Sequence, residues 1–82
     1  MYENLASARN RVIGTKQTVR ALGRGSVREV YIAKDAEEHV VRDLVALCEK
    51  NGVPVIIAGS MQELGKVCGI DVGAASAAIL HE

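Results

Sequence analysis

Short runs of β-branched residues alternate with segments of helical periodicity along this chain of 82 residues. Residues 27–33 and 53–58 are short and rich in Val and Ile, which predicts two strands, with Pro54 at the start of the second. The second run is wholly apolar, as expected of a strand covered on both faces. Residues 74–80 are rich in alanine, but the run is short and ends in Ile-Leu, so we predict a third strand. Helical spacing of apolar residues predicts helices over 3–10, 15–23, 35–50 and 60–68. The alternation predicts a three-layer α/β/α sandwich with a mixed sheet of about four strands, mostly parallel at its core.

Capping residues refine these boundaries. Thr15 is expected to be the N-cap of the second helix, which Gly23 or Gly25 ends. Ser60 and Glu63 have the spacing of a capping box. The acids Asp35, Glu37 and Glu38 are interpreted as favourable charges at the start of the third helix. Residues 69–73 are expected to form a loop before the last strand.

The length and composition predict a single domain over residues 1–82 with an aliphatic core, because the only aromatic residues are Tyr2 and Tyr31. Cys48 and Cys68 fall on apolar helix faces and are expected to be reduced and buried, which favours a cytoplasmic location. No apolar run reaches the length of a membrane span. Neither the serines nor His39 and His81 stand in a catalytic or metal-binding pattern, so no enzyme activity, metal or cofactor is predicted.

The net charge is zero, but the charges are segregated along the chain. No acid lies between Glu3 and Glu29, while the remaining nine acids outnumber four cations from Glu29 onward. This N-terminal basic segment carries six of the ten cations, namely Arg9, Arg11, Lys16, Arg20, Arg24 and Arg28.

The second helix concentrates the basic character of the segment. Lys16 and Arg20 stand four residues apart on one face, where they repel each other, and a cation in the first turn also opposes the helix dipole. These small costs favour a bound polyanion, although a solvated structural face remains an alternative. The polar residues cluster at a helix start, which favours distorted RNA over the DNA major groove. The aromatic stacking platform of an RRM is absent, which argues against simple single-strand binding.

Three stretches resemble one family, namely "IGTKQTVRAL", "VYIAKDA" and "LGKVCGIDVGAASAAI". They occur in the order found in the kink-turn RNA-binding family of ribosomal proteins. This family includes archaeal and eukaryotic large-subunit proteins, core proteins of small nucleolar ribonucleoproteins and a bacterial YbxF-type branch, which this chain resembles. The similarity extends from about Leu5 to Leu80.

The resemblance implies binding to a kink-turn, a bulged duplex with tandem sheared G·A pairs whose major groove is opened. Family members insert the start of a helix into that groove and hold an extruded bulge base with a loop. The matching RNA-binding positions here are Gly14, Thr15, Lys16, Gln17 and Arg20 for the helix, Ile70, Asp71 and Val72 for the loop, and Lys34 and Lys66 near the RNA backbone. Archaeal members carry Asn-Glu in place of Lys16-Gln17 and Lys in place of Arg20, which changes the base edges that can be read.

The resulting expectation is a monomeric, non-catalytic protein that binds and stabilises kink-turns in structured RNA, on the ribosome or in a riboswitch or leader RNA. The alternative is a protein-interaction module of the same fold that does not bind RNA and uses its acidic residues 35–49. A phosphate-ligand enzyme ranks third, because no acid–base pair can be proposed for it.

Overall fold

The computed structural model describes residues 3–81, which form four helices and four strands in strict alternation. The elements in chain order are α1 (Glu3–Ser7), β1 (Arg11–Ile13), α2 (Thr15–Gly23), β2 (Val27–Ala33), α3 (Glu38–Lys50), β3 (Val55–Ala58), α4 (Met61–Val67) and β4 (Ser76–Leu80). The predicted strands and helices are therefore present, and the apolar pair Val12-Ile13 forms the fourth strand. No helix in this part of the chain is long and apolar enough to cross a membrane.

The strands form one mixed sheet in the order β1-β4-β2-β3. Only β2 and β3 are parallel, since β4 runs antiparallel to both β1 and β2. The expectation of a mostly parallel core is therefore wrong, because the last strand returns between β1 and β2 instead of extending the crossover pattern. We call the end where β1, β2 and β3 finish and β4 begins the upper end of the sheet.

Two aliphatic clusters cover the two faces of the sheet, which confirms the three-layer architecture. One cluster joins Leu5 of α1 and Leu64 of α4 to the sheet. The other joins Leu22 of α2 and Leu44 of α3 to the opposite face. Cys48 and Cys68 are buried free thiols, one in each cluster, and burial raises the pKa of both.

The edge strand β3 departs from the expectation of a strand covered on both faces. It begins at Val55, directly after Pro54, and the side chain of Ile57 is 52% exposed. A wholly apolar sequence predicted burial here, but β3 pairs only with β2 and leaves its other edge open.

Glycine ends three of the helices in the same way. After α2, α3 and α4 the chain passes through Gly25, Gly52 and Gly69 at φ of 70°, 67° and 77°. At α4, the Gly69 N–H donates to the Lys66 carbonyl and the Ile70 N–H to the Gly65 carbonyl, the bonding pattern of a Schellman motif. The geometry turns the chain back along α4, so that residues 69–73 run beside that helix.

Two of the predicted helix starts need correction. The N-cap of α2 is Gly14, at φ 96°, and Thr15 is the first helical residue. The helix α3 begins at Glu38, and the Asp35 carboxylate instead accepts from the Met61 N–H at the start of α4, at 2.8 Å. The predicted cap of α4 is confirmed, because Ser60 Oγ accepts from the Glu63 N–H.

Candidate nucleic-acid interface

The start of α2 lies at the upper end of the sheet and is not capped by any side chain. A glycine at the N-cap has no side-chain oxygen to accept from the first helical N–H groups, which have no partner within the helix. Lys16 and Gln17, in the same first turn, have exposed side chains. The site therefore combines backbone donors, the positive end of a helix dipole and a cation, all of which favour anions and acceptor atoms.

Hydrogen bonds hold this helix start against the first residue of β4. The Gly14 N–H donates to the Ser76 carbonyl at 2.8 Å, and the hydroxyls of Thr15 and Ser76 lie 3.1 Å apart. On the next turn, the buried Thr18 hydroxyl donates to the Gly14 carbonyl at 2.8 Å. Because β4 directly follows the 69–75 segment, the helix start and that segment converge at the upper end.

The cations of α2 are not neutralised by acids. Lys16 and Arg20 are exposed, and within residues 3–81 neither has a carboxylate within 4.0 Å. The cost of placing two cations four residues apart is therefore not relieved by an ion pair in the protein itself.

The fold divides the rest of the N-terminal basic segment. The Arg11 guanidinium donates to the carbonyls of Leu5 at 2.9 Å, Ala6 at 3.2 Å and Cys68 at 3.1 Å. It joins the end of α1 to the end of α4 and is a structural group. Arg28, at the start of β2, is exposed at the end of the sheet opposite to Thr15. Sequence position alone could not separate these roles.

The side chains of the loop 69–73 differ in their exposure to solvent. Ile70 is half-buried and packs against the cluster that contains Leu64, whereas Asp71 is exposed and the side chain of Val72 is 70% exposed. A binding role for Ile70 stays a prediction, and its observed position is that of an anchor for the loop. Val72 is one of three exposed large hydrophobic residues in the described chain.

The backbone of the loop 69–73 packs directly against α4, with no side chain between them. A Cβ atom on Gly65 would collide with the Val72 carbonyl oxygen, and one on Gly73 would lie 3.2 Å from Met61 Cβ. Gly65 therefore sets the position of the loop without belonging to it. The sequence offered a signal for this role, because a glycine inside a short helix weakens it unless another backbone must approach closely.

Lys34 and Lys66 are both exposed and lie on different elements. Lys34 follows β2 at the upper end, where its N–H donates to the Gly59 carbonyl at 2.9 Å. Lys66 lies in the last turn of α4, next to Gly65. The structure thus brings the predicted helix start and the segment before β4 together at Ser76, whereas Lys34 follows β2 and Lys66 lies in the last turn of α4.

An apolar groove adjoins the start of α2. It lies between α2 and α3 and has a volume of about 340 Å³, and its lining comprises Thr15, Val19, His39, Val40, Asp43, Leu44 and Leu47. The side chain of Val19 is 42% exposed there. Within residues 3–81, no group of three or more His, Cys, Asp or Glu residues could hold a metal ion.

This fold and surface define a small α/β protein that presents an uncapped, basic helix start next to an exposed loop. The chain belongs to the ribosomal protein L7Ae/L30e/S12e/Gadd45 family, whose model matches residues 2–82. This result confirms the family resemblance found in the three sequence stretches. The family is non-enzymatic, which agrees with the prediction of a protein without catalytic activity.

Individual relatives support the bacterial branch. The chain is 54% identical over 68 residues to the RNA-binding protein TTE2299 of Caldanaerobacter subterraneus, covering 83% of each chain. It is 47% identical over 80 residues to the RNA-binding protein YbxF of Geobacillus stearothermophilus, covering 98% of each. A solved structure, the Giardia lamblia 15.5kD RNA binding protein, matches with a TM-score of 0.84 at 32% identity over 94% of this chain. Our chain spans 65% of the length of the Giardia chain.

Proposed function

We propose that this protein binds RNA and recognises kink-turns, which it stabilises in their bent form. Relatives over nearly the whole chain are named RNA-binding proteins, and the chain shares their family. The observation that carries the finer proposal is the α2 start, uncapped and basic, fastened to the strand that follows the exposed loop.

Each part of this arrangement suits a different part of a kinked duplex. At the start of α2, Lys16 and the uncapped backbone N–H groups can only donate hydrogen bonds. They therefore match acceptors such as guanine O6 and N7 and phosphate oxygens in an opened major groove. A regular A-form duplex hides that groove, so only a distorted RNA can receive the helix. The exposed Val72 gives an extruded base an apolar surface.

The mechanism follows from the requirement for the bent form. A protein that contacts the groove only when it is open, and a base only when it is extruded, binds the kinked conformer and not the extended one. Binding therefore shifts the RNA population toward the kink, with no covalent step. The target belongs to structured RNA, in ribosomal RNA or in a riboswitch or leader RNA.

The test compares a kink-turn RNA with a fully paired duplex of the same length and charge in a gel shift at several salt concentrations. We expect tight binding to the kink-turn alone, and weaker binding as salt rises because phosphates are neutralised. A kink-turn with its G·A pairs replaced by Watson–Crick pairs is the control. Equal affinity for all three RNAs would reduce the protein to a general polyanion binder.

The second candidate function is a protein-interaction module of the same fold without RNA binding. The apolar groove between α2 and α3 favours it, because its lining includes the partly exposed Val19. Such a module would show no preference for the kink-turn, so the same gel shift separates the two functions.

A further inference from the structure

Ser76 is a polar residue in a buried position among small apolar ones. It opens β4 within the run Ala74 to Ala78, and its side chain is completely inaccessible to solvent. A buried hydroxyl is unfavourable unless it forms a hydrogen bond, and alanine would fit the same volume without that requirement. The position of this serine therefore calls for a physical reason.

The reason lies in the start of α2. The Ser76 hydroxyl lies 3.1 Å from the Thr15 hydroxyl, while the Ser76 carbonyl accepts the Gly14 N–H at 2.8 Å. One residue thus holds both the N-cap and the first residue of the helix that the proposed function places in the RNA groove.

The direction of the hydroxyl bond follows from burial. Among residues 3–81, the Thr15 hydroxyl is the only side-chain or backbone partner of Ser76 Oγ. If Thr15 were the donor, the Ser76 proton would be buried without an acceptor, which is costly. Ser76 therefore donates and Thr15 Oγ1 accepts. Thr15, which is only partly buried, keeps its own proton available for a second partner.

We propose that Ser76 is a positioning residue for RNA recognition, which orients the Thr15 hydroxyl as a donor toward an acceptor atom of the bound RNA. The inference rests on the proposed function and deepens it. A hydroxyl with no partner can rotate freely. Once the Thr15 oxygen accepts a hydrogen bond from Ser76, its own proton must point away from Ser76. The phosphate oxygens and guanine acceptors that meet the start of α2 lie on the accessible side.

The first experiment measures affinity and stability separately for Ser76→Ala. We expect affinity for a kink-turn RNA to fall about fivefold, the scale of one lost hydrogen bond, with the unfolding midpoint unchanged because alanine suits the buried position. Ser26→Ala is a matched control, since the Ser26 hydroxyl donates to the Ala21 carbonyl at the opposite end of the same helix. This control should retain full affinity. Ser76→Cys, nearly equal in size but a weak donor, serves if the alanine variant unfolds, and should show a loss of similar size.

A double-mutant cycle with Thr15 then tests the coupling. Thr15→Val should lower affinity in the wild-type background and have little further effect in Ser76→Ala, whereas Thr15→Ser should retain affinity. Additive losses, or an equal loss in Ser26→Ala, would overturn the inference. A wild-type protein with no preference for the kink-turn would refute the proposed function itself. A clear wild-type preference with unchanged affinity in Ser76→Ala and Ser76→Cys would refute the inference alone.

Discussion

Individual arginines of the N-terminal basic segment have different surroundings in the fold. The Arg11 guanidinium donates to three backbone carbonyls, whereas Arg20 is exposed on α2 and Arg28 is exposed at the far end of the sheet. Of these three, Arg20 alone is both exposed and on the helix whose start is proposed to meet the RNA. We therefore expect a structural role for Arg11, a contact to RNA for Arg20 and no contact at this site for Arg28.

Replacing Arg20 by alanine should weaken kink-turn binding much more than replacing Arg28. A forked cation contact to a guanine is worth about 1–3 kcal/mol in DNA complexes, and we expect a loss on that scale. Arg28→Ala removes the same charge at the opposite end of the sheet and is the control. Titration calorimetry on both variants is the measurement, and similar losses would indicate a diffuse basic patch instead of a defined site.

Asp71 provides a second residue-level test, because electrostatics and specific recognition predict opposite signs. Its carboxylate is exposed and makes no hydrogen bond within residues 3–81, so it does not order the loop itself. If charge alone governed binding, Asp71→Asn would bind RNA more tightly by removing a repulsion. If the carboxylate accepts from a base or a ribose hydroxyl, affinity should fall or stay level, and discrimination against the paired duplex should fall. We expect the second result, and a gain in affinity with an intact fold would show that Asp71 does not contact a base.

At the scale of elements, the contact between α4 and the loop 69–73 is closer than any side chain could permit. Gly65→Ala places a Cβ atom against the Val72 carbonyl oxygen, so the loop must move or the helix must shift. We expect a loss of about 1–3 kcal/mol in unfolding free energy, as for overpacking, and a clear loss of kink-turn affinity.

A glycine on another helix gives the matched control for Gly65. A Cβ atom on Gly23, in α2, would meet no heavy atom within 4 Å. Gly23→Ala should therefore raise stability slightly through helix propensity and leave affinity unchanged. Denaturant unfolding and a binding titration on both variants decide the matter. An undiminished affinity in Gly65→Ala would mean that the loop position is not important for binding.

The elements also show how far the sequence predicts the structure. Local signals were sufficient for the presence of the helices and for the cap at Ser60, because periodicity and capping depend on neighbouring residues, though not for the starts of α2 and α3. They failed for the direction of β4 and the exposure of Ile57, which depend on which strands become neighbours. The helix and loop of the candidate site came from a family resemblance. Ser76 and Gly65 were missed because their partners lie on other elements or across a tight contact.

At the scale of the whole molecule, Tyr31 couples global stability to alkaline pH. Its hydroxyl is buried and donates to Glu29 Oε2 at 2.8 Å, and burial followed by this bond raises its pKa to about 12. The folded state holds the proton more tightly than the unfolded chain, where the pKa is about 10. This stabilisation is complete below pH 10 and is lost as pH rises from about 10 to 12, by roughly 2–3 kcal/mol.

The expected result is a steeper fall in unfolding free energy between about pH 10 and pH 12 for the wild type than for Tyr31→Phe. Both proteins contain Cys48 and Cys68, whose raised pKa values also make alkaline pH destabilising. Their contribution cancels in the comparison. Parallel curves for the two proteins would mean that Tyr31 ionises as easily in the folded state as in the unfolded chain.

The Arg11 guanidinium has a consequence for how the molecule opens. It joins the last carbonyls of α1 to the Cys68 carbonyl, the point from which the loop 69–73 departs. Local opening of α1 should therefore release the end of α4, so that both behave as one cooperative unit. In Arg11→Met, amide hydrogen exchange should accelerate at residues 64–70 while the α3 amides keep their protection, and Arg9→Met should change neither. If α3 exchanged together with α4, the proposed unit of α1 and α4 would be ruled out. With that unit, α1, which is remote from the start of α2, sets the lifetime of the ordered loop 69–73.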